Sequence, residues 1–145
     1  MSSESLRELM DLIGLAAAYG GVGLIMLVIG GIVIDVLIPG KLREQIWIER
    51  NLNGAVFLSS AIFALAIIVV IAIRSASDDL VVGLVDTAAY SLFGIFVFSI
   101  TFLVIDMLTP GKLGDTLIED RFHPAVIVSS VANIAIAIVI ASAIY

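Results

Sequence analysis

Four stretches of this chain run for about twenty residues each without a charge, and nothing else in the sequence narrows its fold as far. Residues 12 to 34, between Asp11 and Asp35, form the first. Residues 51 to 73, between Arg50 and Arg74, form the second, which opens on Asn51-Leu52-Asn53 before turning apolar. The third lies between Asp86 and Asp106 with apolar flanks from about Leu80 to Leu108, and the fourth runs from Pro124 to Tyr145. A helix needs about 20 predominantly apolar residues to cross a bilayer. The predicted fold is therefore all-α and integral to a membrane, with four transmembrane helices. Composition agrees: 61% of the residues are hydrophobic and only 14% charged, whereas a soluble domain carries about 25% charged residues. The acidic segment before Asp11 and the length of the first run argue against a cleaved signal peptide.

A shift of 71 residues lays the chain on itself. Ala17-Ala18-Tyr19 falls on Ala88-Ala89-Tyr90, Gly23 on Gly94, and Asp35-Val36-Leu37-Ile38-Pro39-Gly40-Lys41-Leu42 on Asp106-Met107-Leu108-Thr109-Pro110-Gly111-Lys112-Leu113. From 17 to 42 this gives 13 identities in 26 positions. Shared apolarity does not align Asp, Pro, Gly and Lys, so the match is a true repeat. Two repeats follow: 1–74, with helices at about 12–38 and 53–73, and 75–145, with helices at about 80–108 and 124–145. Each holds an even number of spans, so both are expected to face the same way, related by an axis along the membrane normal. The two Pro-Gly-Lys loops hold Lys41, Arg43, Arg50, Lys112 and Arg121, against Arg7 and Arg74 on the other side. That bias places the loops in the cytoplasm and both termini outside.

An Asp near the end of a span, then Pro-Gly-Lys-Leu, a short charged segment and a second span rich in small residues, all given twice, resembles the YjfL/YshE-like family of uncharacterised bacterial inner-membrane proteins (domain of unknown function 350). The likeness covers about Leu12 to Ile144. It implies a multi-pass protein of the prokaryotic inner membrane and brings no activity or substrate with it. The family pattern has Asn before the second helix of each repeat. Asn53 fits, but the second copy reads His123-Pro124, so the halves are expected to be unequal.

Asp35 and Asp106 are the principal candidates for chemistry, because a carboxylate costs roughly 2.5 to 3.5 kcal/mol at the centre of a spanning helix and persists in spans mostly on ion or proton paths. The bland alternative is a structural ion pair with Arg50 and Arg121, fifteen residues later in each copy, or with Lys41 and Lys112. Small residues stripe the first and third spans: Ala16, Gly20, Gly23 and Gly30 in one, Thr87, Ser91, Gly94 and Thr101 in the other. Helices in lipid associate through such residues, so these spans are expected to pack across the repeat axis or against a neighbouring subunit. Asn133 is expected to be interhelical hydrogen-bonding glue. Tyr19 and Tyr90 read as interfacial anchors, and Asp86 as an exposed residue at the outer surface. Leu42, Ile46 and Trp47, repeated as Leu113, Leu117 and Ile118, predict short interfacial helices in the loops. His123 reads as an interfacial polar residue.

Several classes drop out. With no Cys and one His, neither a thiolate nucleophile nor a zinc or iron-sulfur site can be built, and no metal or other cofactor is expected. Gly40-Lys41 and Gly111-Lys112 are not phosphate loops, because Asp35 and Asp106 stand where the first Gly belongs and no Ser or Thr follows the Lys. A net charge of −6 argues against nucleic acid. No catalytic constellation is present, and the chain is not expected to be an enzyme. Two functions remain. The first is a small homo-oligomeric ion- or proton-conducting channel or transporter. The alternative is a membrane scaffold or accessory subunit that recruits a cytoplasmic protein through loops 39–53 and 109–124. The expected surroundings are lipid bilayer and further copies of the chain.

Overall fold

A computed structural model describes residues 3–38, 42–108, 113–119 and 121–145. Its four long helices are α1 (Ser3–Leu37), α3 (Leu52–Arg74), α4 (Leu80–Leu108) and α6 (Pro124–Ile144), each long and apolar enough to cross a membrane. Two six-residue helices, α2 (Leu42–Trp47) and α5 (Leu113–Ile118), precede α3 and α6. The boundaries have local causes. Asn51 caps α3, its side chain accepting from the backbone N–H of Asn53 at 2.8 Å and of Gly54 at 3.2 Å. Asp79 Oδ1 accepts from Val81 and Val82 N–H at the start of α4. At α6, His123 Nδ1 accepts from Ala125 N–H at 3.1 Å, with Pro124 at the position where a missing N–H costs nothing. The departure from expectation is α1, which begins at Ser3 rather than near residue 12. Asp11 ends the uncharged run, but neither it nor Glu8 breaks a helix, and Glu4 in the first turn favours its N-terminal dipole.

α3 is the central helix. It packs against α1, α4 and α6, most extensively α6, while α1 and α6 take the outer positions and share no extensive contact among the described residues. Ala61, Ala64 and Ala72 of α3 and Ala137 and Ala141 of α6 are buried. Side chains this small let two helix backbones approach closely, which supplies the dispersion that association in lipid relies on. Directions follow from paired residues. Asn53 meets His123 and Ser60 meets Asn133, so α3 and α6 run the same way. Gly23 faces Val69 and Ile73 of α3, and Gly30 faces Leu65, so α1 runs against α3. Phe102 packs on Phe57 and Gly94 on Ile68, so α4 runs against α3 and therefore against α6. The two hairpin contacts, Gly23 with Val69 and Ile73 and Gly94 with Ile140 and Ile144, are themselves 71 residues apart.

The outer face is apolar without interruption along the spans. Leu24, Val28, Phe63, Phe96, Val131 and Val139 are all exposed. Soluble monomers rarely leave contiguous apolar patches beyond a few hundred Å², and here the patch wraps the bundle. Lipid is the solvent that such a surface fits.

Candidate functional site

Chemistry concentrates at the end of the bundle where α3 and α6 begin. α2 lies under the first turn of α3: Leu42 is fully buried, and a Cβ at Gly54 would stand 3.3 Å from Leu42 Cδ2 and 3.4 Å from Ile46 Cγ1. Two asparagines then fasten the halves together. Asn51 Nδ2 donates to Leu117 O at 2.7 Å. Asn53, 1% exposed, donates through Nδ2 to Arg121 O at 2.9 Å and Glu119 O at 3.0 Å, and accepts from His123 N–H at 3.0 Å through Oδ1. These carbonyls belong to the end of α5 and the turn after it, which have no partners in their own helix. The first half of the chain supplies them.

Deeper in, Asn133 Nδ2 donates to Ser60 Oγ at 3.2 Å, and Ser60 Oγ donates to Phe57 O at 2.7 Å. Asn133 is thus the interhelical bond the sequence led us to expect. Next to it lies a nearly enclosed void of about 10 Å³ lined by Asp106, Ser129, Asn133, Ala132, Ile105 and the rings of Phe57 and Phe102, which pack tilted with centroids 5.7 Å apart. One water occupies roughly 10 to 15 Å³ on this measure, and it requires two to four polar partners. Asp106, Ser129 and Asn133 are the polar residues of the void's lining. Ser129 and Asn133 lie five and nine residues into α6, about 8 and 14 Å from its start. Beyond them the α3–α6 seam is apolar, with Ala64, Leu65, Ile68 and Ala137 buried at no more than 1% exposure, while Ser99, Ser91 and Thr87 carry buried hydroxyls further along α4. Between α3 and α6 the polar column therefore ends inside the bundle.

Asp35 has a different setting. It is half-buried, and its Oδ1 is buried without a hydrogen-bond partner. The residues that match Ser129 and Asn133 in the first copy are Ser59 and Phe63, both exposed, so the polar lining beside Asp106 is not repeated there. The halves are unequal, as expected, but through α6 more than through His123. Among the described residues no ion pair joins Arg50 to Asp35, and Arg50 and Arg121 are both exposed. Arg50 shows why spacing misleads here. It turns the chain from α2 into α3 with φ at 57°, a left-handed conformation that costs a non-glycine residue about 1 to 2 kcal/mol. Arg50→Gly is accordingly expected to keep or slightly raise the thermal midpoint of the detergent-solubilised protein; loss of an ion pair would lower it. The loop motif Pro39, Gly40, Lys41, Pro110, Gly111 and Lys112 lies outside the described residues.

The small-residue stripe faces the returning helix of each hairpin. Gly23 and Gly30 receive Ile73 and Leu65 of α3, and Gly94 receives Ile68, Ile140 and Ile144. α1 and α4 also pack together, with a Cβ at Gly30 standing 3.4 Å from Ile95 of α4, whereas a Cβ at Gly20 meets nothing within 4 Å. Ser91 is buried with its Oγ unpartnered, and Thr101 is half-buried, donating to Val97 O at 2.9 Å. At the opposite end Tyr19 Oη donates to Ser77 O at 3.4 Å, and Asp86 accepts from Ser77 N–H and Oγ–H, fixing the α3–α4 connection. Asp86 is thus a structural bracket as well as a surface residue. Sequence reasoning missed the clamp by Asn51 and Asn53, whose signal was two amides two residues apart at the mouth of a span. Among the described residues no group of three His, Asp or Glu gathers to hold a metal.

A family model described as Domain of Unknown Function (DUF350) matches residues 8–144. A UPF0719 transmembrane protein of Mycolicibacterium paratuberculosis is 33% identical over 106 residues, covering 73% of this chain and 70% of that one. UPF0719 transmembrane proteins of Mycobacterium bovis and Mycobacterium tuberculosis are each 32% identical over 125 residues, covering 86% of this chain and 82% of theirs. No solved structure matches.

Proposed function

The chain belongs to the DUF350 family of multi-pass membrane proteins, and on that footing we propose that it is a small homo-oligomeric proton conductor in which Asp106 takes up and releases the proton. One observation carries this reading: Asp106 shares a water-sized, nearly closed void with Ser129 and Asn133 at the end of a lipid-facing bundle. A site for a single water suits a proton handed between carboxyl and water better than it suits a hydrated cation. Polar groups in a span are costly and mark such routes. Since the column between α3 and α6 ends at an apolar seam within one chain, conduction runs along the boundary between copies or with a rearrangement of that seam. Asp35, with a buried oxygen and no donor for it, is the second titratable group of the route. We place the protein in a prokaryotic inner membrane as two same-facing repeats, loops 39–53 and 109–124 cytoplasmic and both termini outside, because five of the seven Lys and Arg fall in the loops. No catalytic role is proposed.

The test is proton flux into liposomes containing the purified protein and a pH-sensitive dye. Asp106→Asn is expected to lower flux at least about tenfold, as the loss of a positioned proton-transfer group does, and Asp106→Asn with Asp35→Asn to remove the remainder. A double variant that assembles and conducts like the parent ends the proton reading. A parent that passes no proton leaves the second reading, a scaffold or accessory subunit. That alternative draws support from Trp47 and Ile48, which stand 79% and 75% exposed beside the loop between α2 and α3 and offer an apolar grip for a cytoplasmic protein.

A further inference from the structure

α1 outruns the rest of the molecule. Tyr19 reaches Ser77 in the connection between α3 and α4, and Gly23 faces Ile73 one residue before α3 ends. Side chains on a helix lean toward its N-terminus, so Ser3 to about Leu15 stand clear of every other described element, about 20 Å of helix. Each of these residues except Ser5 is exposed. The projection is strongly two-faced. Leu6, Leu9, Met10 and Ile13 line one side at 44%, 47%, 70% and 59% exposure, while Glu4, Glu8 and Asp11 line the other, with Arg7 beside them. Leu6, Leu9 and Ile13 fall at three- and four-residue steps, the a and d positions of a heptad, and Ala16 and Gly20 continue the seam.

We propose that this face binds the same face of a second copy, forming a parallel two-helix stalk that leads into the spans. Three observations select that occupant. The charges lie at the outward b, c and f positions, so two identical acidic stalks meet without placing like charges across the seam. Ser3–Leu37 is one unbroken helix, so the stripe cannot lie down on the lipid surface without a break in it. The seam also runs on into Gly20, where a Cβ meets nothing, and small residues permit close approach where the pair enters lipid. Copies inserted the same way present these faces in parallel and in register.

The absence of cysteine makes the test direct. Single variants Leu6→Cys, Leu9→Cys, Ile13→Cys, Glu4→Cys, Glu8→Cys and Asp11→Cys of the full chain, reconstituted at low density in liposomes, are oxidised and scored for dimer. Because a disulfide requires Cβ atoms about 4 Å apart, the three seam positions are expected to crosslink at least about fivefold more than the three acidic ones. Adding Leu9→Glu and Ile13→Glu to Leu6→Cys is expected to abolish its dimer, whereas adding Glu8→Leu leaves it. Equal crosslinking around the helix, a maximum on the acidic face, or no dimer at any position from inserted protein overturns the stalk. The pattern is read without measuring transport, so its failure and failure of the proton reading are separate results.

Discussion

Asn53→Ala is expected to destabilise the folded bundle by about 3 kcal/mol, since each buried polar group left without its partner costs roughly 1 to 3 kcal/mol. The side chain satisfies the carbonyls of Glu119 and Arg121 and the N–H of His123 from a position that is 1% exposed. Truncation removes the donor and the acceptor of Asn53 at once and leaves the two carbonyls and the His123 N–H without them. The effect is expected to be local to one end before it is global: proteolysis between α5 and α6 accelerates at temperatures where the spans remain helical by circular dichroism. Asn53→Asp separates the contributions, because it retains the acceptor for His123 while losing both donors. It is expected to be at least as harmful as Ala, a carboxylate facing carbonyl oxygens being repelled by them. A thermal midpoint for Asn53→Ala equal to that of the parent would remove the clamp as the fastening between the halves.

Gly94→Leu is expected to cost about 3 kcal/mol, the upper range for overpacking a tight core. Gly94 is where α4 meets two helices at once. Its first side-chain atom would strike Ile68 Cγ2, with Ile144 Cδ1 at 3.5 Å and Ile140 Cγ2 at 3.7 Å. Ile68 is β-branched and stiff at its first torsion, and it is fully buried in α3, so it has nowhere to turn. Relief then comes only from moving α4 outward, which also opens the contacts of Ile95 and Phe98. Gly21→Leu is the control: a Cβ there meets nothing within 4 Å, and replacing an exposed helical glycine removes a propensity deficit of about 1 kcal/mol. The contrast between two glycines of neighbouring repeat positions, measured as midpoints in one detergent, checks the packing directly. Equal midpoints would show that α4 does not sit where it is described.

The four spans were readable because an uncharged run of about twenty residues has one economical use, and the loop helices because Leu42 and Ile46 fall on one helical face. Asn133 was readable too, a lone amide at depth having few options. What spacing could not supply was direction around the helix. Asp35 and Arg50 return to similar depth by hairpin arithmetic, yet depth leaves azimuth free, and the left-handed turn at Arg50 sends its side chain to the surface. The glycine stripe likewise announced close packing without naming its guests, because Ile68, Leu65 and Ile73 look like any other apolar residue in a run. The clamp was hidden for a further reason: Asn51 and Asn53 bind backbone carbonyls, which every residue carries and no side-chain pattern reveals. α1 continues beyond the expected span of about 12–38 because charge ends a lipid-compatible run without ending a helix.

The fastening by Asn51 and Asn53 is one-sided. Their counterparts at the head of α6 are Phe122, which is exposed, and His123, whose ring is spent on its own helix, so the second half returns no such grip to the first. The α3–α6 seam thus carries the polar fastening between the halves, as a spine binds a book, while α1 and α4 close the opposite side by packing on each other.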